Sequence, residues 1–328
     1  MPEGKQRELE RAIQTFEDEG GFVPDASLGS ARINGPETTL EQMEEGHYLT
    51  GNHNLKEVYE RVKDKLRRPL VVANYVADKN GVIAVEGVDG PPKEIQNDVD
   101  WGHYQELQAQ ADIIITAAGY LNRVKKLGDK AQNVLNQFDK GKPFEKHGDW
   151  RLEHGYKRRN PDIAVVSRSL DFDFPDALTQ GGRRVFIFTI YEMENSEKAK
   201  RFRERGAVVV GVGEEGVDGK IMIERLVKEG CEVVKMTTGP SVLKILLEAK
   251  VLDRLYVTQV QREIPGDPEK FITIPINENT VEEVDLSGTR FKLTESFVHE
   301  GAKAKDGEIV TQKFLVYDSE RFQEALNS

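Results

Sequence analysis

From Pro69 to Val260 the chain alternates short apolar, β-branched runs with helical segments, and that alternation leaves few folds open. The runs are Leu70–Val76, Ile113–Thr116, Ile163–Val166, Val185–Thr189, Ala207–Val212, Glu232–Met236 and Leu255–Val260. Between several of them, apolar residues recur three and four apart, over Trp101–Ala111, Ser196–Arg205, Lys220–Glu229 and Ser241–Ala249. Strands that are apolar almost throughout have no solvated face, so their sheet must be covered on both sides. After Gly266-Asp-Pro268 the pattern changes. Segments near Phe271–Ile274, Thr289–Val298 and Glu308–Tyr317 read as strands joined by polar turns, an antiparallel addition at a sheet edge. The expected fold is therefore α/β, a mainly parallel central sheet flanked by helices on both faces, with an antiparallel C-terminal edge.

Residues 1–66 differ in pattern from the rest of the chain. Arg7–Phe16 and Leu55–Leu66 read as charged amphipathic helices, separated by a Gly-, Asn- and Thr-rich stretch from Gly20 to Asn54. This predicts a helical N-terminal extension over 1–66 and a main domain over 67–328. Leu9, Ile13, Phe16, Val58 and Tyr59 give the extension enough apolar surface to dock on that domain, or to cover its pocket as a lid. Lys125–Asn160 is charged and poor in strand signal, and reads as a helical insertion or long loop.

A formal net charge of −11 with no balancing basic stripe argues against nucleic acid as a partner. No apolar run approaches the roughly 18 to 20 residues of a membrane span, and the start Met-Pro-Glu-Gly-Lys lacks a signal-peptide core; the cytoplasm is the expected compartment. The single cysteine, Cys231, excludes an internal disulfide and a cysteine-based zinc site, and reads as core packing.

The segment Thr237-Thr-Gly-Pro-Ser241 is the densest local signal. It joins a buried strand to a helix, with Gly239 free to turn sharply and Pro240 suited to a first helical turn. The free N–H groups there and the positive end of the helix dipole make a seat for an anion such as a pyrophosphate. Gly211-Val-Gly-Glu-Glu-Gly216 also spells a glycine fingerprint after a strand, but its acidic loop would repel a pyrophosphate, and a surface turn is the better reading.

Several pieces, in this order, resemble one family. Asn74-Tyr-Val-Ala-Asp-Lys-Asn-Gly-Val-Ile-Ala84 is similar to a strand ending in Ser-x-Asp-Gly-x-Ile-Ala. Asp100 to Gly119 resembles a Leu-Arg-Ala-x-x-Asp-Ala segment leading into a glycine turn. Ile163-Ala-Val-Val-Ser-Arg168 matches a strand ending in Ser-Arg, and Val185-Phe-Ile-Phe-Thr189 the strand after it. Thr237-Thr-Gly-Pro-Ser241 stands where the family has Glu-Gly-Gly-Pro-Thr, and Leu252-Asp-Arg-Leu-Tyr256 comes next. Over roughly residues 68–320 the chain resembles the dihydrofolate-reductase-like superfamily, in its branch of riboflavin-biosynthesis pyrimidine reductases, the RibD C-terminal domain family.

The resemblance implies NADPH as hydride donor, lying across the C-terminal ends of the central strands. It implies that Gly119 and Tyr120 pass beside the cofactor, and that Ser167 and Arg168 meet the adenosine ribose and its 2′-phosphate. Thr189, at the end of the next strand, would join the cofactor contacts, and Thr238, Gly239, Pro240 and Ser241 would cradle the pyrophosphate. It also implies a homodimer. On the acceptor side the chain departs from the pattern: Thr237 replaces the family's Glu, Gln108 its Arg, Asp78 its Ser and Asn80 its Asp. Asp78 and Asp100 are the nearest candidates to deliver a proton, with Asn80 beside the first, although such residues also cap turns and helices. His103 reads as structural. The expected activity is reduction of a C=N or C=O bond in a small heterocyclic or sugar-like molecule. The riboflavin step, ribosylamino to ribitylamino, is one form of it. Another acceptor on the same fold, or a non-catalytic NADP-binding or interaction protein, are the alternatives.

Overall fold

The computed structural model describes residues 53–88, 90–126, 135–237, 239–276 and 282–328. The helix expected at Arg7–Phe16, and all of the stretch after it up to residue 52, lie outside them, as does Thr238. The strands are β1 (Leu70–Ala77), β2 (Val82–Val85), β3 (Ile113–Ala117), β4 (Asp162–Val166), β5 (Val185–Thr189), β6 (Val208–Gly211), β7 (Val233–Met236), β8 (Arg254–Val260), β9 (Phe271–Thr273), β10 (Glu283–Leu286), β11 (Thr289–Lys303) and β12 (Ile309–Ser319). All but β2 and β9 form one sheet in the order β10-β11-β12-β8-β1-β7-β3-β4-β5-β6. From β8 to β6 neighbours are parallel, and β12, β11 and β10 extend the sheet antiparallel, as the apolar runs and the C-terminal pattern predict.

One C-terminal segment behaves differently from expectation. Phe271–Thr273 does not join the sheet edge but pairs with β2 in a separate two-stranded sheet. The cause lies at Gly81, which takes φ +85°, and where a Cβ would come within 2.4 Å of the Ile274 carbonyl. Backbone can pass that close only over glycine. Ile274 and Ile276 are thereby drawn into the core, and the edge place goes to β10, where Val284 and Leu286 alternate with exposed Glu283 and Asp285.

The helices of eight residues or more among the described residues are α1 (Leu55–Leu66), α2 (Asp98–Ala109), α3 (Ala118–Lys126), α4 (Glu145–Glu153), α5 (Glu197–Glu204), α6 (Gly219–Lys228), α7 (Pro240–Glu248) and α8 (Glu320–Asn327). Successive side chains of β1 point to opposite faces of the sheet. Leu70 and Val72 meet α1, α2 and α8, whereas Val71 and Ala73 lie in the core built by α6 and α7. Asn54 caps α1 by accepting from the backbone of Lys56 and Glu57. Leu55, Val58, Val62 and Leu66 of that helix share one core with Leu70 and Val72. Farther along the sheet, Leu121 and Val124 of α3 and Ala199 and Phe202 of α5 pack on Ile163, Val165, Val185 and Ile187. At the antiparallel edge, Arg254 and Asp318 stand opposite one another, and the buried guanidinium meets both carboxylate oxygens, at 2.6 and 2.9 Å.

Within the Lys125–Asn160 region, α4 places His147 in an apolar slot. Its ring stacks on Phe144 (5.6 Å, 15°), Phe138 meets it edge-on, and it is 4% exposed. Burial lowers its pKa to about 4. The folded state therefore holds the neutral ring, while the unfolded chain takes up a proton below about 6.5. That contribution to stability is complete above pH 6.5 and is lost as pH falls towards 4, up to about 3 kcal/mol. Denaturant titrations across this range should show His147→Gln losing less stability on acidification than the wild type.

Candidate active site

Parallel strands β7, β3, β4 and β5 are neighbours and end on the same side of the sheet, so their C-terminal turns form one rim. The chain crosses from β1 to β3 with β7 inserted between them, and such a change of strand order opens a crevice at that end of a sheet. Two helices begin on the rim side by side, α3 after β3 and α7 after β7. Gly239 is the N-cap of α7 in an extended conformation (φ −65°, ψ −178°), Pro240 comes next in the first turn, and no side chain caps the helix. The first N–H groups of α7 are thus left for a ligand or water.

The glycines themselves carry the more telling observation. Gly119 and Gly239 both have ordinary negative-φ or extended backbone, and a Cβ on either would meet no described atom within 4 Å. Neither the turn nor the packing requires glycine there. Gly211 and Gly213 are the opposite case: a Cβ on Gly213 would lie 2.0 Å from the Gly216 carbonyl, and one on Gly211 2.9 Å from Tyr191. At Gly211 and Gly213 that second loop needs glycine to close on itself, as a plain surface turn does. At Gly119 and Gly239 the missing side chain leaves room above the rim.

The other expected cofactor residues sit on the same rim with different freedoms. Arg168 is exposed after β4, and its guanidinium has no partner among the described residues, while Ser167 beside it is nearly buried. Ser241 is exposed in the first turn of α7. Tyr120 packs its ring against the core under α3. Thr189 is fully buried, and its hydroxyl donates to the Arg168 carbonyl at 3.1 Å. Its place is beneath the turn that presents Arg168, which it braces.

On the acceptor side the three candidates separate. Asp78 is fully buried at the end of β1. One of its oxygens accepts from the backbone of Asn80 and Val82 (2.8 Å each), the other from Ile264 (3.1 Å). An acceptor held by three N–H groups closes a loop. Asn80 is exposed, and its side chain bonds Glu263, which also pairs with Lys79 at 2.9 Å. Both residues belong to a turn that anchors β1 to the 262–264 segment. Asp100 differs. It lies in the first turn of α2, whose N-cap Asn97 accepts from the Asp100 N–H at 3.0 Å. Desolvation raises the Asp100 pKa, opposed by a hydrogen bond from Thr258 on β8 and by His103 and Lys235.

On the face of the sheet from which Lys235 reaches α2 lies a polar band. Ile114, Lys235 and Val72 pair across β3, β7 and β1, so Thr116, Thr237 and Asn74 form the next rung towards the rim. The Thr116 Oγ1 and Asn74 Oδ1 atoms are buried without a hydrogen-bond partner among the described residues. Thr237, in the family's acidic position, instead donates its hydroxyl to the Ile115 carbonyl at 3.2 Å. His103 is buried, edge-on to Phe314 at 4.7 Å. Gln108, in the family's arginine position, is buried on α2.

Lys235 has no counterpart in the sequence-based expectations. It is fully buried, its Nζ donating to the Tyr104 carbonyl at 3.0 Å and lying 3.4 Å from the Tyr104 ring centroid. The signal was present: a lysine inside Val233-Val-Lys-Met236 interrupts a strand that is otherwise apolar, and lysine is almost never fully buried without a partner.

A mainly parallel sheet with an antiparallel edge, carrying a rim of helix N-termini with open glycines, is an α/β fold of the dihydrofolate-reductase-like class. Residues 70–262 match the sequence profile of the RibD C-terminal domain, and the chain belongs to that reductase family. A pyrimidine reductase-like protein from Corynebacterium diphtheriae shares the fold at 20% identity and a TM-score of 0.52, over 81% of this chain and 98% of that one. The deaminase/reductase of Thermotoga maritima superposes at 16% identity and a TM-score of 0.46, over 80% of this chain but only 59% of its own length. No curated protein sequence matches the chain significantly. Among the described residues no helix is long and apolar enough to cross a membrane, and no cluster of ligating side chains could hold a metal ion.

Proposed function

We propose that the protein is an NADPH-dependent reductase acting on a C=N or C=O bond of a small heterocyclic or sugar-like acceptor. The observation that carries this reading is the pair of glycines at 119 and 239, on adjacent helix starts, where a Cβ would meet no described atom within 4 Å. Gly239, Pro240 and Ser241 would seat the pyrophosphate on the free N–H groups of α7, with Thr238 beside them. Gly119 would let the cofactor pass close to α3. Arg168, raised at the end of β4 and braced by Thr189, would meet the 2′-phosphate two strands from α7. From β7 to β5 the rim spans roughly 14 Å at ordinary strand spacing. When bound, the reduced nicotinamide supplies the hydride. Asp100, in the first turn of α2 beside Thr258 and with its pKa raised by desolvation, would supply the proton that the reduced nitrogen or oxygen needs.

The riboflavin-pathway reduction of a ribosylamino to a ribitylamino pyrimidine is the form of this chemistry that family membership supports. Thr237 and Gln108 change what such a substrate would find, because a hydroxyl and an amide stand in place of a carboxylate and a guanidinium.

Fluorescence titration tests the cofactor half directly. NADPH should bind well below 100 µM, and NADH more weakly. Arg168→Gln should narrow that preference roughly tenfold, about 1.4 kcal/mol, while NADH binding is unchanged. No NADPH binding at 100 µM would remove the reductase reading. Oxidation of NADPH with the diaminopyrimidine ribosylamine phosphate, and not with dihydrofolate, selects the riboflavin form.

A further inference from the structure

The buried lysine of β7 is the strongest feature that the proposed function leaves unused. Packing does not call for a charge there. Its neighbours across the sheet are Val72 and Ile114, and an apolar side chain would fill the same space without desolvating an ammonium. Lys235 reaches instead to α2, where its Nζ holds the Tyr104 carbonyl and lies under the Tyr104 ring. Tyr104 is one helical turn from Asp100 on the same helix. We propose that Lys235 is a positioning residue for the reduction: from inside the sheet it anchors the first turns of α2 and governs when the Asp100 carboxyl can release its proton.

This inference rests on the reductase reading for its purpose, but not for its geometry. Lys235 is fully buried and does not reach an acceptor itself. When bound, the reduced nicotinamide would supply the hydride to the acceptor carbon, and the nitrogen or oxygen that gains the C=N or C=O π pair would take the Asp100 proton. Asp100 is left as a carboxylate, stabilised by the Lys235 ammonium, and regains its proton from solvent. The charged and titratable groups facing the pair are few. Lys235 faces Asp100 and Tyr104; Asp100 faces Lys235 and His103, with the Thr258 hydroxyl between α2 and β8. His103 in turn adjoins Glu106 at 3.5 Å and faces His299 from β11. Burial holds Lys235 well below the ordinary lysine pKa, and the charge of Asp100 opposes that shift.

The test reads the two groups directly by carbon NMR of protein labelled at aspartate Cγ and lysine Cε, with Asp100→Asn identifying the Asp100 resonance. In Lys235→Met the Asp100 midpoint should rise by about one pH unit or more, because an opposite charge has been removed. In Asp100→Asn the most depressed lysine midpoint should fall further, a readout that needs no substitution at Lys235 should that variant fail to fold. Lys235→Met should keep its NADPH affinity, and the high-pH fall of kcat/KM should move with the Asp100 midpoint. An Asp100 midpoint unmoved in Lys235→Met, or a lysine midpoint unmoved in Asp100→Asn, overturns the proposal. Failure of the wild type to bind NADPH would remove the reductase reading instead, leaving the coupling measurement to stand by itself.

Discussion

Gly239→Asp should abolish NADPH binding while leaving the fold as stable as before, or slightly more so. The two effects have separate causes. Gly239 is the N-cap of α7 with extended backbone, a conformation that aspartate adopts without strain, and its Cβ would meet no described atom. A carboxylate at that position accepts from the free N–H groups of the first turn and faces the positive end of the helix, which is worth a few tenths to about 1 kcal/mol. Those are the donors that a pyrophosphate would use, so the new side chain occupies the seat and repels what should sit there. The expected loss of NADPH affinity is roughly hundredfold or more, about 2.7 kcal/mol, with an unchanged or higher melting temperature. Intact NADPH binding in this variant would show that α7 does not hold the cofactor. A sharp fall in stability would show that the glycine serves the turn, as Gly213 does in its own loop.

That contrast between glycines marks where the sequence could be read and where it could not. The strands β1, β3, β4, β5, β7 and β8 were legible because each is an apolar run too short for a helix and without a polar face. The rim was legible for the same reason, since parallel strands all end on one side and place Gly119, Ser167, Arg168 and Gly239 together. Two glycine-rich loops that look alike in sequence differ only in what approaches them, and that is a tertiary fact. The edge strand β10 and the pairing of Phe271–Thr273 with β2 were hidden similarly, because the backbone contact over Gly81 decides them. Lys235 was legible in principle as a charge inside an apolar strand. Its partner, Tyr104, lies 131 residues away, so no local pattern connects the two.

Asp78 and Asp100 show the same limit, and substituting each should have opposite consequences. Both carboxyls lie near the acceptor side of the sheet in sequence order, and both were candidates to deliver a proton. Asp78→Ala removes an acceptor from three backbone N–H groups, those of Asn80, Val82 and Ile264, and leaves the last two buried beside a void. Hydrogen bonds to a charged group are worth about 1.5–3 kcal/mol each and are not fully additive, so a loss of about 4 kcal/mol is expected. That is a large share of the roughly 5–15 kcal/mol typical of a folded chain, and the denaturant midpoint should fall accordingly. Asp100→Asn keeps the shape and can still accept from Thr258, so the midpoint should move by less than about 1 kcal/mol. Its kcat should instead fall roughly a hundredfold or more, the usual worth of a positioned acid, with NADPH affinity retained. Asp78 then belongs to the loop and Asp100 to the chemistry. The assignment reverses if Asp78→Ala proves stable and inactive while Asp100→Asn turns over normally.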